Sequence, residues 1–283
     1  MIIVVVPVFN EEKTIQNVIN NVSKFCDYVI VVNDCSTDNT GELLNSLDNK
    51  KLIILENDKN LGIGGATKKG IKKALEIEAD IIIKFDADGQ HLAEDLPKFI
   101  EQIIDNNYDF VKGNRFKLSV DQMPFPKLFG NLIATNLQKV VTGNFKLSDP
   151  NNGFIAFKSE IFDFVKIKNL RDDYFFENSF LMNLNIFKFK VTEVPIKTIY
   201  GAEKSSIPLI RGSIKIIPVF LKLLYKKNHL SLIQNLSLGS IIFFILNFSI
   251  FIKLIIPSFI SITLLLLLGS LYFIVEVINF LND

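Results

Sequence analysis

Residues 81–91, IIIKFDADGQH, decide how this chain folds. Ile81 to Phe85 is a short, mostly apolar run that reads as a buried strand, and DADGQH is the loop at its carboxyl end. Asp86 and Asp88 then lie just beyond a buried strand, where two carboxylates would repel unless something positive sat between them. A divalent cation held also by a diphosphate would meet that need, because Mg²⁺ and Mn²⁺ take oxygen ligands and share them with substrate phosphates. Asp86, Asp88 and Gln90 are therefore the candidate metal ligands. The competing reading makes both aspartates turn or cap residues, and Asp-x-Asp alone does not separate the two.

Outward from this stretch, apolar runs alternate with segments of helical period. Strands are expected at Ile2–Val6, Tyr28–Val32, Leu52–Leu55, Ile81–Phe85 and Phe110–Lys112. Ile15, Val18, Ile19, Val22 and Phe25 predict a first helix, with Asn10 as its cap; further helices are expected over Thr40–Leu47, Gly65–Ile77 and Glu94–Ile104. A helix over Lys127–Val141 and a strand near Phe189–Val194 follow. The alternation is that of an α/β fold with a mostly parallel sheet flanked by helices, which places its binding loops at the carboxyl ends of the strands. Those ends carry PVFNEE (7–12), NDCSTDNT (33–40), DADGQH (86–91) and GNRF (113–116), so four polar loops converge on one edge.

Asp34 ends the second strand where it would meet the base or ribose of a nucleotide lying over that edge. Ser36, Thr37 and Asp38 read as caps of the next helix. NLGIGGATKKG (60–70) follows the third strand and lacks the GxGxxG spacing, which disfavours a dinucleotide site. Its glycines fit a tight start to a helix and close packing against the sheet. Lys68, Lys69, Lys72 and Lys73 read as a solvated face.

Taken as an ordered set, PVFNEE, NDCSTDNT, NLGIGGA, DADGQH, GNRF, DPNNGF (149–154), TEVPI (192–196) and YGAEKSS (200–206) resemble the family 2 glycosyltransferases of the glycosyltransferase A fold. The polyprenyl-phosphate hexosyltransferases, dolichol-phosphate mannose synthases among them, are the most similar branch. The resemblance implies a Rossmann-like sheet domain and makes Pro7, Phe9, Glu11, Val32 and Asp34 nucleotide contacts. Asp86, Ala87, Asp88 and Gln90 resemble the site for the metal and diphosphate. Arg115 resembles an arginine that meets the donor, and Lys204 a basic residue that closes over the phosphates. Relatives usually read DDGSTDGT on the second strand, so Asn33, Cys35 and Asn39 replace an acid and two glycines. Lys127 falls where an arginine is usual, and gives a point charge in place of a bidentate fork.

The chain has 283 residues and a formal net charge of +1, but the charge is unevenly spread. No Asp or Glu occurs from Ser205 to Val275. Within that stretch 237–256 and 259–278 are apolar runs near the about 20 residues a helix needs to cross a bilayer, and they are expected to form a transmembrane hairpin. The division that follows is a catalytic domain over 1–204, a basic amphipathic juxtamembrane segment over 205–230 and two spans within 231–283. Arg211, Lys215, Lys222, Lys226 and Lys227 precede the first span, which predicts a cytoplasmic catalytic domain. Ile207, Ile210, Ile214 and Ile217, interleaved with Arg211 and Lys215, suit a helix lying on anionic headgroups; packing against the catalytic domain or another subunit, in a homo-oligomer, is the competing and compatible explanation. Cys26 and Cys35 have no metal spacing and read as free thiols. Clustering of the basic residues beside the spans gives nucleic-acid binding little support.

The expected chemistry is inverting, metal-dependent transfer of a hexose from a nucleotide sugar, of UDP-glucose or GDP-mannose type, to a polyprenyl phosphate. A phosphate monoester is largely ionised at neutral pH, its second pKa being about 6, so it needs no strong base. Mg²⁺ or Mn²⁺ would stabilise the departing nucleoside diphosphate. Arg115, Lys127, Lys204 and Arg211 would hold phosphates of donor and acceptor, and Asp149 would position the acceptor or take a proton, or serve only as a cap or turn residue. One rival is transfer to a hydroxyl, for which Asp172, Asp173 or Glu177 would be the base. With no Trp, the chain lacks the QxxRW motif of the processive synthases. A non-catalytic nucleotide-sugar-binding membrane protein is the other rival, disfavoured by the intact carboxylate pair.

Overall fold

The run IIVVVPV forms the central strand β1 (Ile2–Val8), apolar on both faces because both are covered. The structure is a computed structural model and describes residues 1–118, 147–149 and 152–199. After β1 come α1 (Ile15–Val22), β2 (Tyr28–Asn33), α2 (Thr40–Ser46), β3 (Leu52–Glu56) and α3 (Gly62–Glu76). Then follow β4 (Ile81–Lys84), α4 (Leu96–Ile104), β5 (Phe110–Asn114), β6 (Ile155–Lys158), α5 (Phe176–Ile186) and β7 (Val191–Pro195).

Successive side chains of β1 serve opposite cores. Val4, Val6 and Val8 pack with Ile15, Ile19 and Val22 of α1 and with Leu96 and Phe99 of α4. Ile3 and Val5 pack with Ala66, Ile71 and Ala74 of α3 and with Phe180 and Leu184 of α5. Helices thus cover both faces of the sheet, and α3 comes closest. A Cβ on Gly70 would overlap Val5 and lie 3.1 Å from Val32 Cγ2, so only glycine allows that approach.

The sheet order is β3-β2-β1-β4-β6-β5-β7. β4 and β6 run antiparallel, as do β5 and β6, while the remaining pairs are parallel. From β1 the chain passes to β2 and β3 on one side and then returns to β4 on the other. The switch point between β1 and β4 is where such a sheet opens a crevice at its carboxyl edge. Pro7 suits this place. Val5 C=O accepts from Phe85 N on the β4 side, and Val8 C=O accepts from Asp34 N on the β2 side. By alternation Pro7 therefore turns its missing N–H toward β4, whose pairing with β1 has already ended at Lys84.

Three local expectations change. Asn10 does not cap α1; its backbone sits at φ 58° and its Oδ1 accepts from Thr37 N at 2.7 Å, while residues 11–14 form a turn before the helix starts. α3 begins at Gly62, three residues earlier than expected, because Asp34 accepts the N–H groups of Leu61 and Gly62, both at 2.8 Å. Lys68 and Lys69 are not a free solvated face. Lys68 Nζ reaches Leu170 O at 2.9 Å and Asp172 Oδ1 at 2.7 Å, and Lys69 Nζ reaches Asn57 Oδ1 at 2.8 Å.

Among the described residues no helix is long and apolar enough to cross a membrane. The expected spans at 237–256 and 259–278, the basic segment with Arg211, Lys204, Lys127 and the helix over Lys127–Val141 lie outside the described residues.

Candidate active site

The carboxyl ends of β1, β2 and β4 meet at a cleft of about 480 Å³. Pro7, Phe9 and Glu11 line it from the loop after β1, Asp34 from the end of β2, and Asp86, Ala87 and Asp88 from the loop after β4. Asn60, Gly62 and Ile63, at the start of α3, form its floor toward that helix, and Asp173 and Tyr174 close another side. Eight of the residues singled out in the sequence, Asp173 among them, are brought together here.

The first two loops hold each other in place. Asn10 N donates to Ser36 Oγ at 3.0 Å, Glu11 N to Thr40 Oγ1 at 2.9 Å, and Asn39 N to Glu12 Oε2 at 3.1 Å. Ser36 and Thr37 therefore stitch two binding loops together, and Asp38 Oδ1, accepting from Thr40 N at 3.0 Å, also orders the start of α2. Cys35 takes a left-handed backbone at φ 63°.

Asp34 is buried, and besides Leu61 and Gly62 it accepts from Asn57 Nδ2 at 2.7 Å. The glycines that follow allow close approach to another loop. Gly65 N donates to Asp172 O at 2.9 Å, and a Cβ on Gly64 would lie 2.7 Å from the Asp172 carbonyl carbon. This contact sets Asp173 and Tyr174 against the cleft. Asp173 is further fixed by Arg171, whose Nε donates to Asp173 Oδ1 at 2.9 Å.

Asp86 receives a buried ammonium: Lys84 Nζ donates to Asp86 Oδ1 at 2.6 Å. Burial works against the charge on Asp86, but its basic neighbours together, Lys84 foremost, hold the carboxyl below its ordinary range. His91 Nε2 lies 3.8 Å from Asp86 Oδ2, and burial pushes the imidazole pKa down to about 4, so this is a contact with a neutral ring near pH 7. The repulsion between Asp86 and Asp88 inferred from the sequence is thus relieved in part by the protein itself. Asp88 Oδ1 accepts from Gln90 N at 3.0 Å.

Other candidates lie off the cleft wall. Val32 is wholly buried in the core beneath α3. Gln90 is joined through its backbone to Asp88 and to Ile199 N and does not line the cleft. Arg115 forms a fork on the fully buried Asp149, Nε to Oδ2 at 2.7 Å and Nη2 to Oδ1 at 2.8 Å. Burial opposes the Asp149 charge, and Arg115 overrides it and holds the carboxyl low. The sequence reading did not single out Lys84, His91, Lys112 or Gly153, all packed beneath the site. The lysines in IIIK and FVK were the available signal, because a charge within an apolar strand is rarely buried unpaired.

Asp86 and Asp88 are the carboxylates that fit a hard cation. Among the described residues no set of three or more His, Cys, Asp or Glu side chains surrounds one point. Two carboxylates facing a cleft suit Mg²⁺ or Mn²⁺, which fill the rest of their shells with water and substrate phosphate.

The family described as "Glycosyl transferase family 2" matches residues 3–165. A UDP-N-acetylglucosamine–dolichyl-phosphate N-acetylglucosaminyltransferase of Methanococcus voltae is 34% identical over 217 residues, 71% of this chain and 86% of that relative. A dolichol-phosphate mannosyltransferase of Pyrococcus furiosus is 28% identical, over 58% of this chain and 48% of its own length. In fold, the chain is similar to glucosyl-3-phosphoglycerate synthase of Mycobacterium tuberculosis, solved with Mn²⁺, UDP and phosphoglyceric acid. The TM-score is 0.57 at 18% identity, covering 80% of this chain and 78% of that one. By the family match and by its likeness to the Methanococcus enzyme, this chain belongs to glycosyl transferase family 2.

Proposed function

We propose that the protein transfers a sugar from a nucleoside-diphosphate donor to dolichyl or another polyprenyl phosphate at the cytoplasmic membrane face, with inversion at the anomeric carbon. The observation that carries this is the meeting of Asp86 and Asp88 with Pro7, Phe9, Glu11 and Asp34 in one cleft at the β1/β4 switch point. Likeness to dolichyl-phosphate transferases supports the acceptor class, and likeness to the Methanococcus enzyme makes UDP-N-acetylglucosamine the first donor to test, ahead of UDP-glucose and GDP-mannose.

Phe9 is 44% exposed at the cleft and can stack on the base. Asp34, with Asn57 and the α3 backbone, shapes the nucleoside side. Asp86 and Asp88 would hold Mg²⁺ or Mn²⁺. When bound, that cation neutralises charge on the diphosphate as it leaves. Asp173 and Tyr174 line the remaining side of the cleft, where the sugar would lie. An ionised phosphate acceptor requires no proton to be removed, so no residue is needed as a strong base. Lys127, Lys204 and Arg211 supply the remaining cationic contacts to phosphate, and the Arg115–Asp149 fork ties the end of β5 to residue 149. The apolar runs at 237–256 and 259–278 keep the domain at the bilayer where the lipid phosphate lies.

Membranes containing the protein, given UDP-N-acetylglucosamine, UDP-glucose or GDP-mannose with dolichyl phosphate or dolichol, test this by product mass. A sugar phosphodiester of dolichol is expected. Glycosylation of the free alcohol alone would contradict the mechanism.

A further inference from the structure

Lys84 is out of keeping with its strand. It shares a sheet face with Ile82, which belongs to an apolar core, and is only 1% exposed. A buried ammonium is tolerated only when paired, and each of its three donors has an acceptor: Asp86 Oδ1 at 2.6 Å, Glu177 Oε1 at 3.0 Å and Gly153 O at 3.2 Å. Saturated in this way, it has no donor left for a substrate. Glu177 is also buried, does not line the cleft, and stands in the first turn of α5, three residues beyond Tyr174. Ion-paired to Lys84, it is poorly placed to be the base considered for a hydroxyl acceptor. The other buried cation on this face, Lys112, donates to Asn152 O, and burial brings its pKa down to about 8.

A lysine paired with Asp86 alone would cancel that carboxylate's charge and weaken its pull on a cation. A lysine shared by two carboxylates leaves the triad one negative charge. Crowding keeps the arrangement in place, since a Cβ on Gly153 would overlap Asp86 Oδ2 and lie 2.8 Å from Lys84 Nζ.

We propose that Glu177 is a positioning residue for the cation site: by drawing the Lys84 ammonium partly to itself, it leaves Asp86 with the negative charge that a divalent cation needs. This rests on Asp86 and Asp88 being the cation ligands. Because Glu177 and the Asp173–Tyr174 wall belong to adjoining turns of chain, one segment sets both the charge and the shape of the cleft.

The test is Mn²⁺ binding by the purified full-length chain, with free Mn²⁺ read by electron paramagnetic resonance and folding by circular dichroism. Asp86→Asn should abolish binding, and Glu177→Gln should weaken it about tenfold. The double variant Lys84→Gln/Glu177→Gln removes both charges and should return to within about threefold of wild type. A merely structural Glu177 gives no such recovery. The proposal is overturned by wild-type affinity in Glu177→Gln or by a double variant as weak as the single. Should the single variant not fold, the double decides alone, with near wild-type affinity expected and about tenfold loss overturning the proposal. Wild-type Mn²⁺ binding by Asp86→Asn instead sinks the carboxylate reading itself, and the proposal with it.

Discussion

The backbone of Gly153 lies against the Asp86 carboxylate so closely that a Cβ at residue 153 would overlap Asp86 Oδ2. Gly153, distant in sequence from DADGQH, thus backs the carboxylate site. Gly153→Ala must push Asp86 or Lys84 aside, and displacements of about 1 Å can lower turnover about 100-fold. Initial rates of sugar transfer, measured on protein with an unchanged circular-dichroism spectrum, check this. Wild-type turnover would show that Asp86 need not hold its position.

Asp34 joins β2 to the start of α3 through the N–H groups of Leu61 and Gly62 and the Asn57 amide. Asp34→Ala leaves those buried donors without their carboxylate and is expected to lower stability by about 2–3 kcal/mol. It should also weaken donor nucleotide binding, because α3 supplies part of the cleft. Urea unfolding and nucleotide titration measure the two effects, and a nucleotide affinity unchanged despite lost stability would confine Asp34 to a structural part.

Arg115 and Asp149 give the fold an acid-sensitive link. The Asp149 carboxyl is held below its ordinary 3.8, so the pair's contribution is complete above that value and is lost as pH falls through the depressed folded value. Asp149→Asn is expected to cost about 3–5 kcal/mol at neutral pH, since it removes the buried carboxylate that the Arg115 fork holds, and to flatten the acid limb of stability. Unfolding followed from pH 7 downward checks both. Arg115→Lys should recover only part of the loss, because an ammonium cannot reproduce the fork.

Cys35 holds a left-handed backbone at φ 63°. That conformation costs an L-residue about 1–2 kcal/mol, and glycine's extra chain entropy returns about 0.5–1 kcal/mol of it. Cys35→Gly is therefore expected to stabilise by up to about 1.5 kcal/mol, and Cys35→Ala to give no such gain. Thermal unfolding of the two variants distinguishes backbone strain from loss of the thiol.

Much of this architecture is legible in the sequence, for identifiable reasons. Strands covered on both faces, such as IIVVVPV and YVIVVN, announce themselves as apolar runs, and the polar loops after them mark the carboxyl edge where the cleft opens. Asp34, Asp86 and Asp88 follow from that placement, whereas Pro7, Phe9 and Glu11 come from the family resemblance. What escapes is whatever depends on partners far along the chain. Lys68 looks solvated until Leu170 and Asp172 fold against it, and the early start of α3 depends on Asp34, 28 residues before Gly62. Val32 and Arg115 carry motif positions, yet one is core and the other is committed to Asp149. Lys84 left a trace as a charge inside an isoleucine strand, but its acceptors Gly153 and Glu177 are not deducible from local pattern.

The most direct measurement is calorimetric binding of UDP to the wild-type chain and to Asp88→Asn, each with and without Mn²⁺. Mn²⁺ is expected to tighten UDP binding by the wild type about tenfold or more and to give the variant no such gain. UDP affinity indifferent to Mn²⁺ in the wild type, or an undiminished gain in Asp88→Asn, would contradict a cation shared between the Asp86–Asp88 pair and the donor's diphosphate.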